Sequence, residues 1–189
     1  MKPISKLALA VSALLPLPAL AAWEIEPSHT HIGFSVGHLG LTQTPGIFRK
    51  FDAKLDFDDK HIEASKVSFT IDASSIDTNS EQRDEHLRGT DWFNVANNPK
   101  IVFTSQTVRH ISGNRYAITG LLTIRGKSLP VEFQTLLTNR GINPWTKTPA
   151  IGFAGTTKIK RSDFGLTSFI PAVADEVDLK IQLEVLRKP

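Results

Sequence analysis

Apolar residues recur at every second position through most of the chain, which is the spacing of strands with one wet face and one buried face. Ile32, Phe34 and Val36 share one side. Phe51, Ala53, Leu55 and Phe57 do the same, with Lys50, Asp52, Lys54 and Asp56 opposite them. Val67, Phe69 and Ile71 follow, then Ile101 to Arg109, and then Tyr116, Ile118, Gly120, Leu122 and Ile124. Later sets are Val131 to Leu137, Phe153 to Ile159, and Val177 to Val185 with Glu176, Asp178, Lys180, Gln182 and Glu184 outside. If Trp23–Ile25 joins Ile32–Val36 as one strand bent near Pro27, the pattern predicts about eight strands. Short connections favour antiparallel neighbours, and closure would protect the long last strand from pairing with another chain. The expected fold is all-β: an eight-stranded antiparallel β-barrel.

The alternation stops over residues 78–105. Asn79 to Arg88 has helical spacing and a dense polar composition, with Leu87 its main apolar residue. Asn79 or Ser80 is placed to cap its start, Glu81 and Asp84 suit the positive end of the dipole, and Gly89 follows Arg88. Trp92 and Phe93 then form an apolar knob. A polar helix in a β chain is poorly suited to a sheet core, so it is expected to cover one end of the barrel. It is read either as a solvated surface helix or as a lid whose Arg83, His86 and Arg88 face a ligand headgroup.

An eight-stranded barrel is either filled by its own side chains or holds one slender ligand. Small inward residues (Ala53, Gly120, Gly155, Thr157) beside phenylalanines suit an elongated apolar channel, and they equally suit an interdigitated dry core. The pattern alone leaves both open.

Composition narrows the setting. Lys2 and Lys6, the apolar run Leu7 to Leu20 and the Ala19-Leu20-Ala21 site have the form of a secretory signal peptide over 1–21, leaving 22–189 as a single domain. The formal charge of +3 includes those two lysines, so the remaining chain is close to neutral. It lacks the basic stripe of a nucleic-acid binder. With 0 cysteines, an exported chain relies on packing alone and thiol chemistry is excluded. The expected location is the periplasm.

Several motifs in order carry a resemblance: H-x-x-I-x-F-x-V-x-H-L-G from His29 to Gly40, and P-G-x-F-x-x-F-x-x-x-L-x-F-D from Pro45 to Asp58. S-I-D-T-N-x-x-x-R-D-x-H-L-R follows from Ser75 to Arg88, then D-W-F-N, P-K-I-V-F-T-S, G-x-L-T-x-x-G at Gly120 to Gly126 and D-F-G at Asp163 to Gly165. Over essentially the whole mature chain the sequence resembles the YceI-like family of bacterial exported lipid-binding proteins. The resemblance implies a lipocalin-like barrel holding a long apolar ligand of polyisoprenoid, isoprenoid-quinone or fatty-acid-derived type, and it favours the hollow interior.

The candidate cavity residues are Phe34, Val36, Phe51, Phe69, Ile71, Trp92, Phe93, Phe103, Ile118, Leu122, Phe133, Phe153 and Phe169. Candidate mouth residues are His38, Arg83, His86 and Arg88, with His38 expected to bond a loop. His31 stands where the family usually has an apolar or small residue. His29, His31 and His38 lack a third-ligand pattern, so no metal or other cofactor is expected. Without a G-x-S-x-G elbow or a phosphate loop, the chain is read as a binder; an acid–base cluster of Arg83, Asp84 and His86 and a purely structural protein are the alternatives. The expected partner is an amphiphilic lipid, with transient contact to a membrane or membrane protein. Trp145 alone does not set an oligomeric state.

Overall fold

The computed structural model describes residues 22–188. The leader expected over 1–21 lies outside the described residues. The chain forms β1 Trp23–Ile25, β2 His31–His38, β3 Thr42–Phe48, β4 Phe51–Asp56, β5 Lys66–Asp72 and β6 Ile76–Asp77. The single-helix segment α1 Glu81–Arg88 leads to β7 Lys100–Ser112, β8 Arg115–Ile124, β9 Lys127–Ile142, β10 Pro149–Lys160 and β11 Val173–Arg187.

Three of these breaks are bends within continuous strands. β1 and β2 both pair with β11, on either side of a 3-10 turn at Pro27–His29 that the Glu26 carboxylate caps through Ser28 N–H. β3 and β4 are separated only by Arg49 and Lys50. β5 and β6 bend around the turn Ala73–Ser75, and the two bends run together: Asp72 N–H donates to Lys50 O at 2.9 Å and Arg49 N–H to Ser75 O at 3.1 Å. Every neighbouring pair is antiparallel, in the order β4-β5-β7-β8-β9-β10-β11-β2-β3. Since β3 runs straight into β4, the two ends of that order are one strand, and the sheet closes into an eight-stranded lipocalin-like barrel. Where β1 passes β4, side chains make the seam: Trp23 meets Phe57 edge to face at 5.3 Å.

β3 is an element the alternation did not predict. Its sequence, TQTPGIF, has no apolar period, and Pro45 lacks the N–H a central strand needs. Pro45 is tolerated because β3 pairs with β6 only at Ile47 and Phe48, leaving Pro45 matched to Ser35 of β2 on one side. α1 begins at Glu81, which makes Ser80, the second of the two expected residues, the N-cap. Ser80 sits at the N-cap without a side-chain capping bond; the buried Asp84 carboxylate instead accepts from Thr78 N–H at 2.9 Å and Thr78 Oγ1 at 2.6 Å, which fixes the chain entering the helix. β9 runs to Ile142, past the alternating set Val131 to Leu137.

Two apolar clusters occupy the interior. The larger is built around Phe69, Phe103, Leu122, Phe133 and Trp92. The smaller, Trp23, Ile62, Leu137, Ile151 and Val185, plugs the end away from the helix. The cavity runs between them.

Candidate functional site

The inner faces of the strands enclose a cavity of about 580 Å³. Phe34, Val36, Phe69, Ile71, Phe103, Ile118, Leu122, Phe133 and Phe153 form its wall, and Trp92, Phe93, Arg83, His86, His38 and Phe169 lie around the end that α1 covers. Aromatic contacts brace the wall: Phe34–Phe48 at 5.7 Å, Phe48–Phe93 at 5.8 Å and Phe103–Phe133 at 5.2 Å. Edge and tilted pairs of this kind each contribute about 0.5–1.5 kcal/mol beyond their buried area.

Two expected members are elsewhere. Phe51 is on the same inward face as Ile71 and packs against Phe69 at 6.1 Å, but it does not line the cavity. Arg88 is held away from the cavity: its guanidinium pairs with Glu81 at 3.0 Å and donates to Ser74 O and Ile76 O, pinning α1 to the β5–β6 bend. His38 is at the mouth, but its bond to the neighbouring loop is through backbone: His38 O accepts from Leu41 N–H at 2.9 Å.

The small inward residues divide into two kinds. A Cβ on Gly120 would strike the Thr104 carbonyl oxygen and fall 2.7 Å from Phe103 ring carbons, and one on Gly46 would strike the Phe34 ring, so both positions exclude a side chain. Gly155 is different. A Cβ there meets Thr135 Oγ1, Phe133 Cδ1 and Ile181 Cβ at ordinary contact distances of 3.6–3.9 Å, and the position borders the cavity.

At the covered end the Trp92 ring is sandwiched. Phe169 stacks on it at 6.2 Å, His86 meets both rings edge-on at 6.1 and 5.9 Å, and the Arg161 guanidinium lies 5.0 Å over it. Trp92 Nε1–H is buried with no acceptor among the described residues. Arg161 was not foreseen. Buried at 5% exposure, it donates to Ala174 O (2.9 Å), Leu166 O (2.5 Å), Ser168 O (2.9 Å) and Val173 O (2.8 Å). Burial lowers its pKa from the usual guanidinium value, and the charge of Asp175 opposes that. It follows a strand end and precedes the D-F-G run, but nothing in local spacing marks it as the organiser of the loop over 166–174. Also missed were Phe48, Phe57 and Ile62, which line the wall from segments flanking strand bends and turns.

The acid–base alternative fares poorly in geometry. Asp84 is committed to Thr78, and Arg83 donates to Thr78 Oγ1 at 2.7 Å and Thr78 O at 2.6 Å. His29 pairs loosely with Glu184 at 3.7 Å, and among the described residues no three His, Cys, Asp or Glu side chains gather as a metal site.

A closed antiparallel barrel with a helical cover and an apolar cavity defines a container of the lipocalin-like class. Relatives agree with that architecture. The YceI-like domain profile matches residues 23–185, and a UPF0312 protein of Pectobacterium carotovorum subsp. carotovorum is 38% identical over 185 residues, 98% of this chain and 94% of that protein. The chain belongs to the YceI-like family. Among solved structures, Burkholderia cenocepacia BcnA superposes with a TM-score of 0.77 at 28% identity, covering 85% of this chain and 99% of that one. A polyisoprenoid binding domain from Saccharophagus degradans, implicated in plant cell wall breakdown, shares the fold with a TM-score of 0.63 at 13% identity, covering 89% and 100%.

Proposed function

We propose that this protein binds one long-chain amphiphilic lipid, of polyisoprenoid, isoprenoid-quinone or fatty-acid-derived type, and sequesters or carries it through the periplasm. The observation that carries the reading is the apolar cavity of about 580 Å³, with His38, Arg83, His86 and Arg161 gathered at its covered end. An apolar chain gains roughly 0.8 kcal/mol for each methylene removed from water, so a cavity of this kind holds a long chain with few polar contacts. The polyisoprenoid binding domain that shares this architecture motivates the isoprenoid choice. A binder, not an enzyme, fits the commitment of Arg83 and Asp84 to Thr78.

Mass spectrometry of organic extracts from protein purified out of the periplasm tests this directly. One apolar amphiphile recovered at near-stoichiometric amounts supports it. Repeated recovery of none, together with no uptake of a fluorescent fatty acid such as 11-(dansylamino)undecanoic acid, refutes it. Chemically altered lipid, lost on changing His86, would point to catalysis instead.

A further inference from the structure

The cavity mouth carries an exposed apolar crest that the container role alone does not require. Leu39 and Leu41, at the β2–β3 hairpin tip, are 56% and 78% exposed, and Phe169 and Ile170 are 60% and 38% exposed. The two segments adjoin: Leu39 N–H donates to Ala172 O at 2.7 Å, Val173 pairs with His38, and Val173 N–H donates to Phe169 O at 2.8 Å. Leu39 and Phe169 both hold positive φ, at 53° and 61°, a conformation that bulky residues adopt at a cost of about 1–2 kcal/mol. Each thereby presents its side chain to solvent.

Charge is missing from both segments. Residues 39–48 and 164–174 contain no Asp, Glu, Lys or Arg, in a chain that is 22% charged. We propose that this crest inserts into the outer layer of a lipid bilayer, so that cargo passes between membrane and cavity along Phe169. The inference rests on the lipid-container reading. Three observations choose a bilayer over a protein partner. Phe169 is both exposed crest and cavity lining, so a chain crossing it meets no aqueous gap. The four side chains fall well short of the roughly 800 Å² per partner of a stable protein interface. Apolar tips without charge suit the acyl–headgroup boundary, where neither desolvated ions nor pairing partners are needed. The charged helix α1 adjoins this crest, with His86 meeting the Phe169 ring edge-on at 5.9 Å, and stays at the headgroup level.

Flotation of the purified mature protein with phosphatidylethanolamine–phosphatidylglycerol vesicles tests the proposal. Leu39→Asn with Leu41→Ser removes the tip without touching the cavity wall, and Asn tolerates the left-handed backbone at position 39. Ile142→Asn with Trp145→Ser strips the exposed apolar residues of the opposite hairpin as a control. Wild type should float, the tip variant should bind vesicles at least ~10-fold more weakly, and the control should match wild type. Transfer of 11-(dansylamino)undecanoic acid from those vesicles should slow in the same order. Its affinity when added from ethanol should stay within twofold of wild type for the tip variant.

Failure of wild type to float, equal loss in both variants, or a tip variant that instead dissociates a dimer overturns the docking inference. Loss of wild-type affinity for the probe in bulk solution would overturn the container reading, and flotation would still score the crest by itself.

Discussion

Gly155 offers a direct test of whether the barrel is hollow. Its missing Cβ would make ordinary contacts with Thr135, Phe133 and Ile181, and anything larger projects into the cavity it borders. Replacing glycine in a strand by a residue with a Cβ recovers about 0.5–1 kcal/mol of backbone entropy. In Gly155→Leu three further carbons enter free space, so the unfolding free energy of delipidated protein should hold or rise by up to about 1 kcal/mol. A filled core would instead be overpacked, at a cost of about 1–3 kcal/mol. The same carbons displace some three methylenes of cargo, worth about 2 kcal/mol or roughly a 30-fold loss of affinity. Urea unfolding and titration with 11-(dansylamino)undecanoic acid read the two quantities. Gly120→Ala is the internal contrast: its Cβ would strike the Thr104 carbonyl oxygen and lie 2.7 Å from the Phe103 ring, and a loss of about 1–3 kcal/mol is expected. Destabilisation of Gly155→Leu to the same extent, with probe affinity unchanged, would refute the hollow barrel.

Arg161→Met leaves four carbonyls without their donor; a loss of about 3 kcal/mol in urea unfolding and faster amide exchange over 166–174 are expected, and wild-type exchange there would contradict the bracing role. Trp92→Phe removes an unpartnered N–H and keeps the stacking on Phe169, so stability should fall by less than about 1 kcal/mol; a larger loss would show that Nε1 has a partner in solution. The Asp175 carboxylate is held below its ordinary pKa, first by the Ser162 backbone N–H and also by the Ser162 hydroxyl and Arg161. Because the folded value is depressed, its stabilisation is present above the unfolded value of about 3.9 and is lost as pH falls through the folded value. The difference in Tm between wild type and Asp175→Asn should therefore be full at neutral pH and shrink in acid; a gap independent of pH would sink the assignment.

The wall of the barrel was legible because each of its strands keeps one face dry, and a period of two survives wherever that holds. Phe34, Phe69, Phe103 and Phe133 were found from alternation alone. β3 was not, because its role is served by a proline at a half-paired position and a glycine under the Phe34 ring, and neither leaves an apolar period. The hollow interior was also undetermined by pattern. Gly120 and Gly155 look alike in sequence, yet one seats a ring and the other borders free space, a difference set by which residue lies across the sheet. Arg88 and Arg161 exchanged places for the same reason. Arg88 sits in a helical motif beside Arg83 and His86, but its reach is toward the β5–β6 bend; Arg161 carries no local signature, because its four acceptors come from a segment that returns to it only after the loop is folded.

A cavity of about 580 Å³ leaves its lining side chains without protein neighbours on one side, so the fold must obtain its stability where the cavity is not. The ladder does part of this: closure pairs β11 with β10 on one side and with β2 and then β1 on the other, and the double bend at Lys50 and Ser75 lets eight strands close without a free edge at the β3–β4 junction. The rest comes from the two ends. Trp23, Phe57, Ile62 and Val185 plug one end with a conventional apolar cluster. The other is closed by Trp92, Phe169, His86 and Arg161, a mixed assembly held by ring contacts and one buried guanidinium. The two ends therefore differ in kind. The plug has nothing to gain by opening, whereas the mixed end includes a 60% exposed Phe169 and an unpartnered Trp92 N–H, both of which lose little if the loop over 166–174 shifts. Arg161 holds both arms of that loop, through Leu166 and Ser168 on one and Val173 and Ala174 on the other, and Leu39 is bonded to Ala172, so the exposed Phe169 ring is carried between fixed arms.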